Sequence, residues 1–246
     1  MSTKPKTYIL SLGGSLIAPP GGIDWKFLKE FRALILNEIK RDKRFFIITG
    51  GGTTCRIYNQ AAKNVTNPLT EDLDWMGIQA THLNAYLLKS IFRTHAYDGI
   101  IKSPTEHVKS KRMIVVGGGW RPGWSTDFVA TTIAQEYKIK TIINLSNIDY
   151  AYDKDPRKFK DAKKINQINW REFRKLVGDK WSPGLSTPFD PIASRQAENL
   201  KLKVNMYLYG ASGHAKVIID ILKSQGKNIL GLIDDNLSIN ELLGYP

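Results

Sequence analysis

Short apolar runs that stop at glycine set the rhythm of this chain. Residues 8–12, 45–49 and 113–116 are such runs, and they end in Gly13-Gly14-Ser15, Gly50-Gly51-Gly52 and Gly117-Gly118-Gly119. Runs of this length bounded by glycine predict buried strands followed by tight turns. Helical spacing fills the intervals. Asp24 predicts a cap for a helix carrying Leu28, Phe31, Ile35 and Ile39 on one face. Further helices are predicted around residues 56–62, and over 74–92 with Ile78, Leu83, Leu87, Leu88 and Ile91 as the apolar positions. Beyond them come a helix over 126–137, a strand over 141–145, a polar loop over 147–156 and a helix over 170–177. A last helix spans 190–199, with Pro191 at a tolerated first-turn position.

Strands alternating with helices predict an α/β fold, a doubly wound and largely parallel sheet between two helical layers. Ligands bind such sheets beyond the carboxyl ends of the strands. Glycine there lets the backbone turn tightly and approach a ligand. Successive N–H groups then form an anion-binding concavity, and a following helix N-terminus adds positive potential. One Gly-Gly pair can serve a tight turn alone. Three clusters, each closing an apolar strand, point to a nucleoside triphosphate and a second phosphorylated or acidic substrate. The segment Gly50-Gly-Gly-Thr-Thr-Cys-Arg56 does not fit the P-loop pattern, and the protein-kinase motif set is absent.

Composition narrows the partners. The 246 residues are 42% apolar, enough for a packed core, and carry a formal charge of +13. That charge favours anionic partners, either nucleic acid or phosphorylated metabolites. The densest basic stretches, 40–44 and 154–164, also contain acidic residues, and no RNA-binding signature is present. A solvated basic surface is expected, with no nucleic-acid partner. No apolar run is long enough to span a bilayer, and the first residues lack an apolar signal segment, so no membrane association and a cytoplasmic location are expected. Cys55 is the single cysteine, which rules out an internal disulfide and a multi-thiolate zinc site. It reads as a small residue beside a glycine turn rather than a reactive thiol. His82, His95, His107 and His214 show no metal-ligand spacing.

Several segments taken together resemble the amino acid kinase superfamily and, within it, the archaeal-like uridylate kinases. They are Leu10-Ser-Leu-Gly-Gly-Ser-Leu16, Gly50-Gly-Gly52 with Arg56-Ile-Tyr58, and Asp74-Trp-Met-Gly-Ile-Gln-Ala-Thr-His-Leu-Asn-Ala85. Further on come Pro122-Gly-Trp-Ser-Thr-Asp127, Leu145-Ser-Asn-Ile-Asp149 with Tyr152 and Asp155-Pro156, and Phe189-Asp-Pro-Ile-Ala193. The resemblance covers about residues 8–204. It implies phosphoryl transfer from ATP, accompanied by Mg²⁺, to UMP, in a closed homo-oligomer, usually a hexamer.

It also implies roles. Gly14, Ser15, Gly52 and Arg56 would face the ATP phosphates, and Ser146, Asn147, Tyr152 and Asp155 would form the adenine and ribose side. Gly51 would approach UMP, and Asp74 would hold its ribose. Arg121, Pro122, Gly123, Trp124, Ser125 and Thr126 would line the UMP phosphate site. Asp127 would organise the cationic groups around the transferred phosphoryl, with Arg56 as the other catalytic residue. Simpler alternatives stand beside two of these: Asp74 as a helix N-terminal carboxylate and Asp127 as an N-cap.

Two departures mark the chain. Ser11 lies where many relatives carry a lysine, which the archaeal-like enzymes also lack, and Tyr150 stands where relatives usually have glycine. The expected kinase C-terminus is also replaced. Residues 205–246 run as strand, glycine turn, helix and strand, from Met206-Tyr-Leu-Tyr-Gly-Ala-Ser-Gly-His214 to Asp234-Asp235. They resemble the nucleotide-binding start of a sialic-acid-type sugar acetyltransferase. The expected organisation is a C-terminally incomplete kinase-like domain over 1–204 and a partial βαβ segment over 205–246, with residues 204–209 supplying the kinase sheet's last strand. A fusion, a shifted reading frame and a deliberate splice are equally open. The alternative functions are a nucleotide-binding sensor with lost catalysis and a superfamily kinase for another small acidic substrate.

Overall fold

The computed structural model describes residues 4–146, 159–163, 165, 168–180 and 187–208. The expectations for the loop at 147–156 and for the tail beyond residue 208 lie outside the described residues.

Five strands form one parallel sheet, β1 (Lys6–Leu12), β2 (Lys43–Thr49), β3 (Ile114–Gly117), β4 (Thr141–Ser146) and β5 (Lys203–Leu208), in the order β3-β2-β1-β4-β5. The pairing is in register from Lys6↔Lys43 to Leu12↔Thr49, and from Ile9↔Ile142 to Leu12↔Leu145. The helices are α1 (Gly14–Ile17), α2 (Trp25–Ile39), α3 (Gly52–Val65), α4 (Thr70–Phe92), α5 (Thr126–Glu136), α6 (Trp170–Val177) and α7 (Pro191–Asn199). The doubly wound parallel sheet expected from the sequence is present.

Alternation along the strands splits the core into two layers. Tyr8, Leu10, Leu12, Phe45 and Ile47 pack with Phe27, Phe31 and Ile35 of α2 and Leu88 and Phe92 of α4. Ile9, Phe46, Ile48 and Val115 face the other way, toward Val129 and Ile133 of α5, Phe173 of α6 and Ala193 and Ala197 of α7. Burial on both faces explains why the strands are continuous apolar runs. Asp24 caps α2 as expected, its carboxylate accepting from the Phe27 N–H at 2.9 Å.

One expectation fails. Leu83 is 62% exposed, because the buried side of α4 carries Ile78, Ala85, Leu88 and Phe92. At the opposite end of the sheet from the glycine turns, Glu38 and Lys43 form a buried ion pair, and Arg41 adds a 2.6 Å bond to the same carboxylate.

Candidate active site

The strand order reverses between β1 and β4. From β1 the chain winds outward to β2 and β3, then returns to β4 and moves outward to β5 on the other side. In a doubly wound sheet this switch point opens a crevice beyond the strand ends. The Gly13 N–H donates to the Leu145 carbonyl at 2.8 Å across it. Ser146, the last residue of β4, stands at the same edge.

Two helix N-termini converge there. Ser125 caps α5 by accepting from the Phe128 N–H at 3.1 Å, and Asp190 caps α7 by accepting from the Ala193 N–H at 2.6 Å. The cap of α5 is therefore Ser125 and not Asp127, which corrects the simpler alternative for that residue. Asp127 is held from two sides instead. The Ser11 hydroxyl donates to Oδ1 at 2.9 Å, and the Asp190 N–H donates to Oδ2 at 3.1 Å. Burial pushes the Asp127 carboxyl up to about 6, and the Asp190 carboxylate adds to the rise. The bonds from Ser11 and the Asp190 amide oppose it. Burial likewise raises Asp190. The result is a desolvated carboxylate at the strand ends, with its pKa raised to about 6.

The first two glycine clusters interlock backbone to backbone. A Cβ on Gly14 would stand 2.1 Å from the Gly52 nitrogen, and one on Gly50 would stand 2.5 Å from the Gly14 nitrogen. Gly52 also has φ +63°, a conformation that L side chains rarely adopt. The interlock brings Ser15 beside Arg56. The guanidinium bonds Thr53 Oγ1 at 2.7 Å and reaches Ser15 Oγ at 3.5 Å. Gly51 abuts α4, where its Cβ would lie 3.3 Å from the Gly77 carbonyl. Asn84 of α4 donates to the Gly50 carbonyl at 2.7 Å.

The third cluster has a packing explanation of its own. A Cβ on Gly118 would lie 2.6 Å from Thr81 Oγ1 and 2.8 Å from the His82 ring. Thr81 Oγ1 accepts from the Gly119 N–H at 2.7 Å, and His82 Nε2 bonds the Gly119 carbonyl at 2.8 Å. Burial holds the His82 imidazole below its usual pKa, so at neutral pH it is an uncharged donor. Burial also raises the Cys55 thiol, consistent with a packing residue rather than a nucleophile.

On the other side of α4, Asp74 accepts from the Gly123 N–H at 2.9 Å. It is not a helix N-terminal carboxylate: α4 begins at Thr70, and Asp72 is the residue that bonds back to the Leu69 N–H, at 3.1 Å. Asp74 instead ties α4 to the loop of Arg121, Pro122, Gly123, Trp124, Ser125 and Thr126. In that loop the Arg121 guanidinium lies 4.0 Å over the Trp120 ring and 5.6 Å from the Trp124 ring. Trp124 in turn packs against Phe128, with centroids 4.0 Å apart and the rings tilted by 34°.

Gly14, Ser15, Gly52 and Arg56 thus form one group, and Asp74 with the 121–126 loop forms another. Asp127, in the first turn of α5, links β1 and the N-terminus of α7. Asn147, Tyr152 and Asp155 are outside the described residues. Sequence reasoning missed Asp190, although it stood within the quoted Phe189-Asp-Pro segment, and it missed the pairing of Ser11 with Asp127.

Residues 6–206 match the amino acid kinase family. The chain belongs to the amino acid kinase family. Among curated amino acid kinases, the uridylate kinase of Methanococcus aeolicus is 33% identical over 198 residues, covering 79% of this chain and 87% of that protein. The uridylate kinase of Thermoplasma volcanium is 34% identical over 204 residues, covering 81% and 87%. The crystal structure of uridylate kinase from Archaeoglobus fulgidus superposes with a TM-score of 0.71 at 28% identity, covering 85% of this chain and 94% of that one. Residues 205–246 separately match the PglD N-terminal domain.

Proposed function

We propose that this amino acid kinase transfers the γ-phosphoryl group of ATP to UMP, giving ADP and UDP. The observation that carries the proposal is the Asp74–Gly123 bond. It joins two segments that resemble the uridylate kinases, 74–85 and 122–127. The identity to curated uridylate kinases over most of the chain supports the same assignment.

In this scheme Gly14, Ser15, Gly52 and Arg56 receive the ATP phosphates, while Asp74 and the 121–126 loop hold UMP. The UMP phosphate oxygen attacks the γ-phosphorus in line, so no side chain acts as a nucleophile. Positioning and charge neutralisation carry the catalysis. Asp127, with no lysine at position 11, anchors cationic groups through its ionised carboxylate. Among the described residues no group of three or more His, Cys, Asp or Glu side chains has the arrangement of a metal site. Magnesium enters the proposal as the ATP complex, as part of the substrate.

A coupled ADP-release assay with UMP, CMP, AMP and small carboxylates tests the proposal. Turnover fastest with UMP is expected. Nucleotide binding without turnover would favour the sensor alternative, and a preference for a carboxylate would reassign the substrate.

A closed homo-oligomer, hexameric by resemblance, belongs to the same proposal. The outer sides of α3 and α4 support it, since they expose Ile57, Tyr58, Val65, Trp75, Leu83 and Tyr86. Sedimentation velocity would detect the assembly, and a monomer at micromolar concentration would count against it.

A further inference from the structure

The amino edge of the sheet, opposite the glycine turns, gathers charge that the sequence disperses. Lys6 opens β1 and lies beside Lys43, the first residue of β2, in the parallel register. Arg112 precedes β3, Lys138 and Lys140 precede β4, and Lys201 and Lys203 stand at the entry to β5. Every strand of the described sheet is thus entered through a basic residue. Lys43 is buried and paired with Glu38, whereas Lys6, Arg112, Lys138, Lys140, Lys201 and Lys203 are exposed. Among the described residues no carboxylate pairs with any of these six. Asp42, Asp98 and Glu106 are the exposed carboxylates in the connections that enter the strands, and none of them lies at the entries to β1, β4 or β5. Helix C-termini also end at this edge, and their dipoles favour nearby cations. That accounts for Lys138 after α5 and Lys201 after α7, but not for Lys6, Lys140 or Lys203 at the strand starts. Nor is lysine the easiest residue at the two helix ends, where Lys138 has φ +54° and Lys201 has φ +51°. Glycine takes this left-handed conformation without steric cost and is usual at such turns. Adjacent strands are about 4.8 Å apart, so the five strands spread the charge over roughly 19 Å. A nucleic-acid duplex presents one phosphate charge per ~1.7 Å of axis, so an edge of this length meets several at once. None of the exposed large apolar side chains lies at these strand entries. The edge therefore lacks the aromatic platforms that hold single strands and the apolar anchors of membrane-surface or protein-docking faces.

We propose that the amino edge of the sheet binds the phosphate backbone of double-helical nucleic acid without reading its bases. Phosphate contacts position a protein on a duplex and carry no sequence information. The surface is distinct from the active site, since β1 and β2 run for seven residues, roughly 20 Å, between the two edges. Where the sequence predicts a solvated basic surface with no nucleic-acid partner, the sheet order brings these residues into one row, and that row is what a duplex would meet. The identity of the phosphoryl acceptor does not enter.

The test is fluorescence anisotropy of the full chain, across a salt series, with a labelled duplex of about twenty base pairs as RNA, as DNA and in a scrambled sequence. All three duplexes should bind, with affinity falling steeply as salt rises. Lys138→Gly with Lys201→Gly removes two charges at turns that suit glycine, so this variant should melt no lower than wild type. It should lower the salt slope by about 2 and weaken binding roughly tenfold or more. Lys26→Gln with Lys29→Gln removes the same charge from the exposed start of α2, at the other edge of the sheet, and should bind like wild type. ADP release with UMP should be the same in both double variants as in wild type. Equal losses of duplex binding in the two would overturn the proposal, because binding would then follow net charge alone. So would a wild type that fails to bind at low salt, a strong preference for one base sequence, or displacement of the duplex by ATP with UMP. Tighter capture by vesicles of anionic phospholipid than by duplex would overturn it in favour of a membrane surface.

Discussion

Asp74 and Gly123 are joined by a 2.9 Å hydrogen bond in which the glycine amide donates to the carboxylate. The bond links the second turn of α4 to a loop turn in which Gly123 has φ +85°. A helix and a loop 49 residues apart in sequence are thereby tied together.

Asp74→Asn and Asp74→Ala should separate the two uses of that carboxylate. Asparagine keeps an oxygen for the Gly123 N–H and loses the charge expected to hold the ribose. It should raise KM for UMP about tenfold or more while leaving KM for ATP near wild type. Alanine also releases the loop and should lower kcat as well. Steady-state kinetics with each substrate varied in turn would check both. Equal effects on the two substrates would remove Asp74 from the UMP side.

Asp127 should give the reaction an acid limb. With its carboxyl near 6, kcat/KM should fall as pH drops through about 6, because the role assigned to it needs the ionised form. The Ser11 hydroxyl holds that value down, so Ser11→Ala should move the limb to higher pH. A pH–rate profile of both proteins would show the shift, and coincident limbs would disconnect Ser11 from Asp127.

Stability should respond to the same group with the opposite sense. The folded carboxyl titrates near 6 and its ordinary value is 3.8, so between these values the native state binds the extra proton. Stability contributed by Asp127 is full below 3.8 and declines as pH rises through about 6. The total is about 3 kcal/mol. Asp127→Asn should remove this slope, which urea midpoints measured from pH 4 to 8 would reveal.

Gly14→Ala should be among the most damaging single-atom insertions in the protein. The added methyl would meet backbone on two sides, the Gly52 nitrogen at 2.1 Å and the Gly50 carbonyl carbon at 2.5 Å. Neither neighbour is a flexible side chain. A loss of about 3 kcal/mol or more is expected from chemical denaturation. A near-neutral result would mean that the two loops do not interlock.

At the far end of the sheet, Lys43→Met should cost about 3–5 kcal/mol, because it strands a buried carboxylate. Burial alone would raise the Glu38 pKa, and the hydrogen bonds and charges of Lys43 and Arg41 bring it below 4.5 instead. The double variant Lys43→Met, Glu38→Leu should recover much of the loss in thermal melts. No recovery would mean that packing of the lysine stem, not its charge, is what matters.

The strands, the Asp24 cap and the first two glycine turns were legible in the sequence because each is written in local spacing. Asp24, Pro191 and the run at 45–49 behave as that spacing predicts. What escaped depends on residues far apart. Ser11 and Asp127 are separated by 116 positions, and only the sheet brings them together. The third glycine cluster looked like the other two because a turn and a close helix contact both call for a missing Cβ. Only the positions of Thr81 and His82 separate the two causes. Leu83 misled for a related reason. It is apolar and close to the helical repeat, yet it points away from the layer that Leu88 and Phe92 enter.

β5 begins within the kinase-family match and ends within the match to the PglD N-terminal domain. Its register against β4 runs unbroken from Lys203 to Leu208, across the point where one match gives way to the other. A parallel ladder is written in peptide groups, which every residue except proline supplies alike. The outermost strand of the described sheet is therefore a place where one family match can give way to another without the ladder registering the change. Ending the chain at residue 204 would bare the rim of β4, and starting one at residue 209 would discard the strand on which the second match opens.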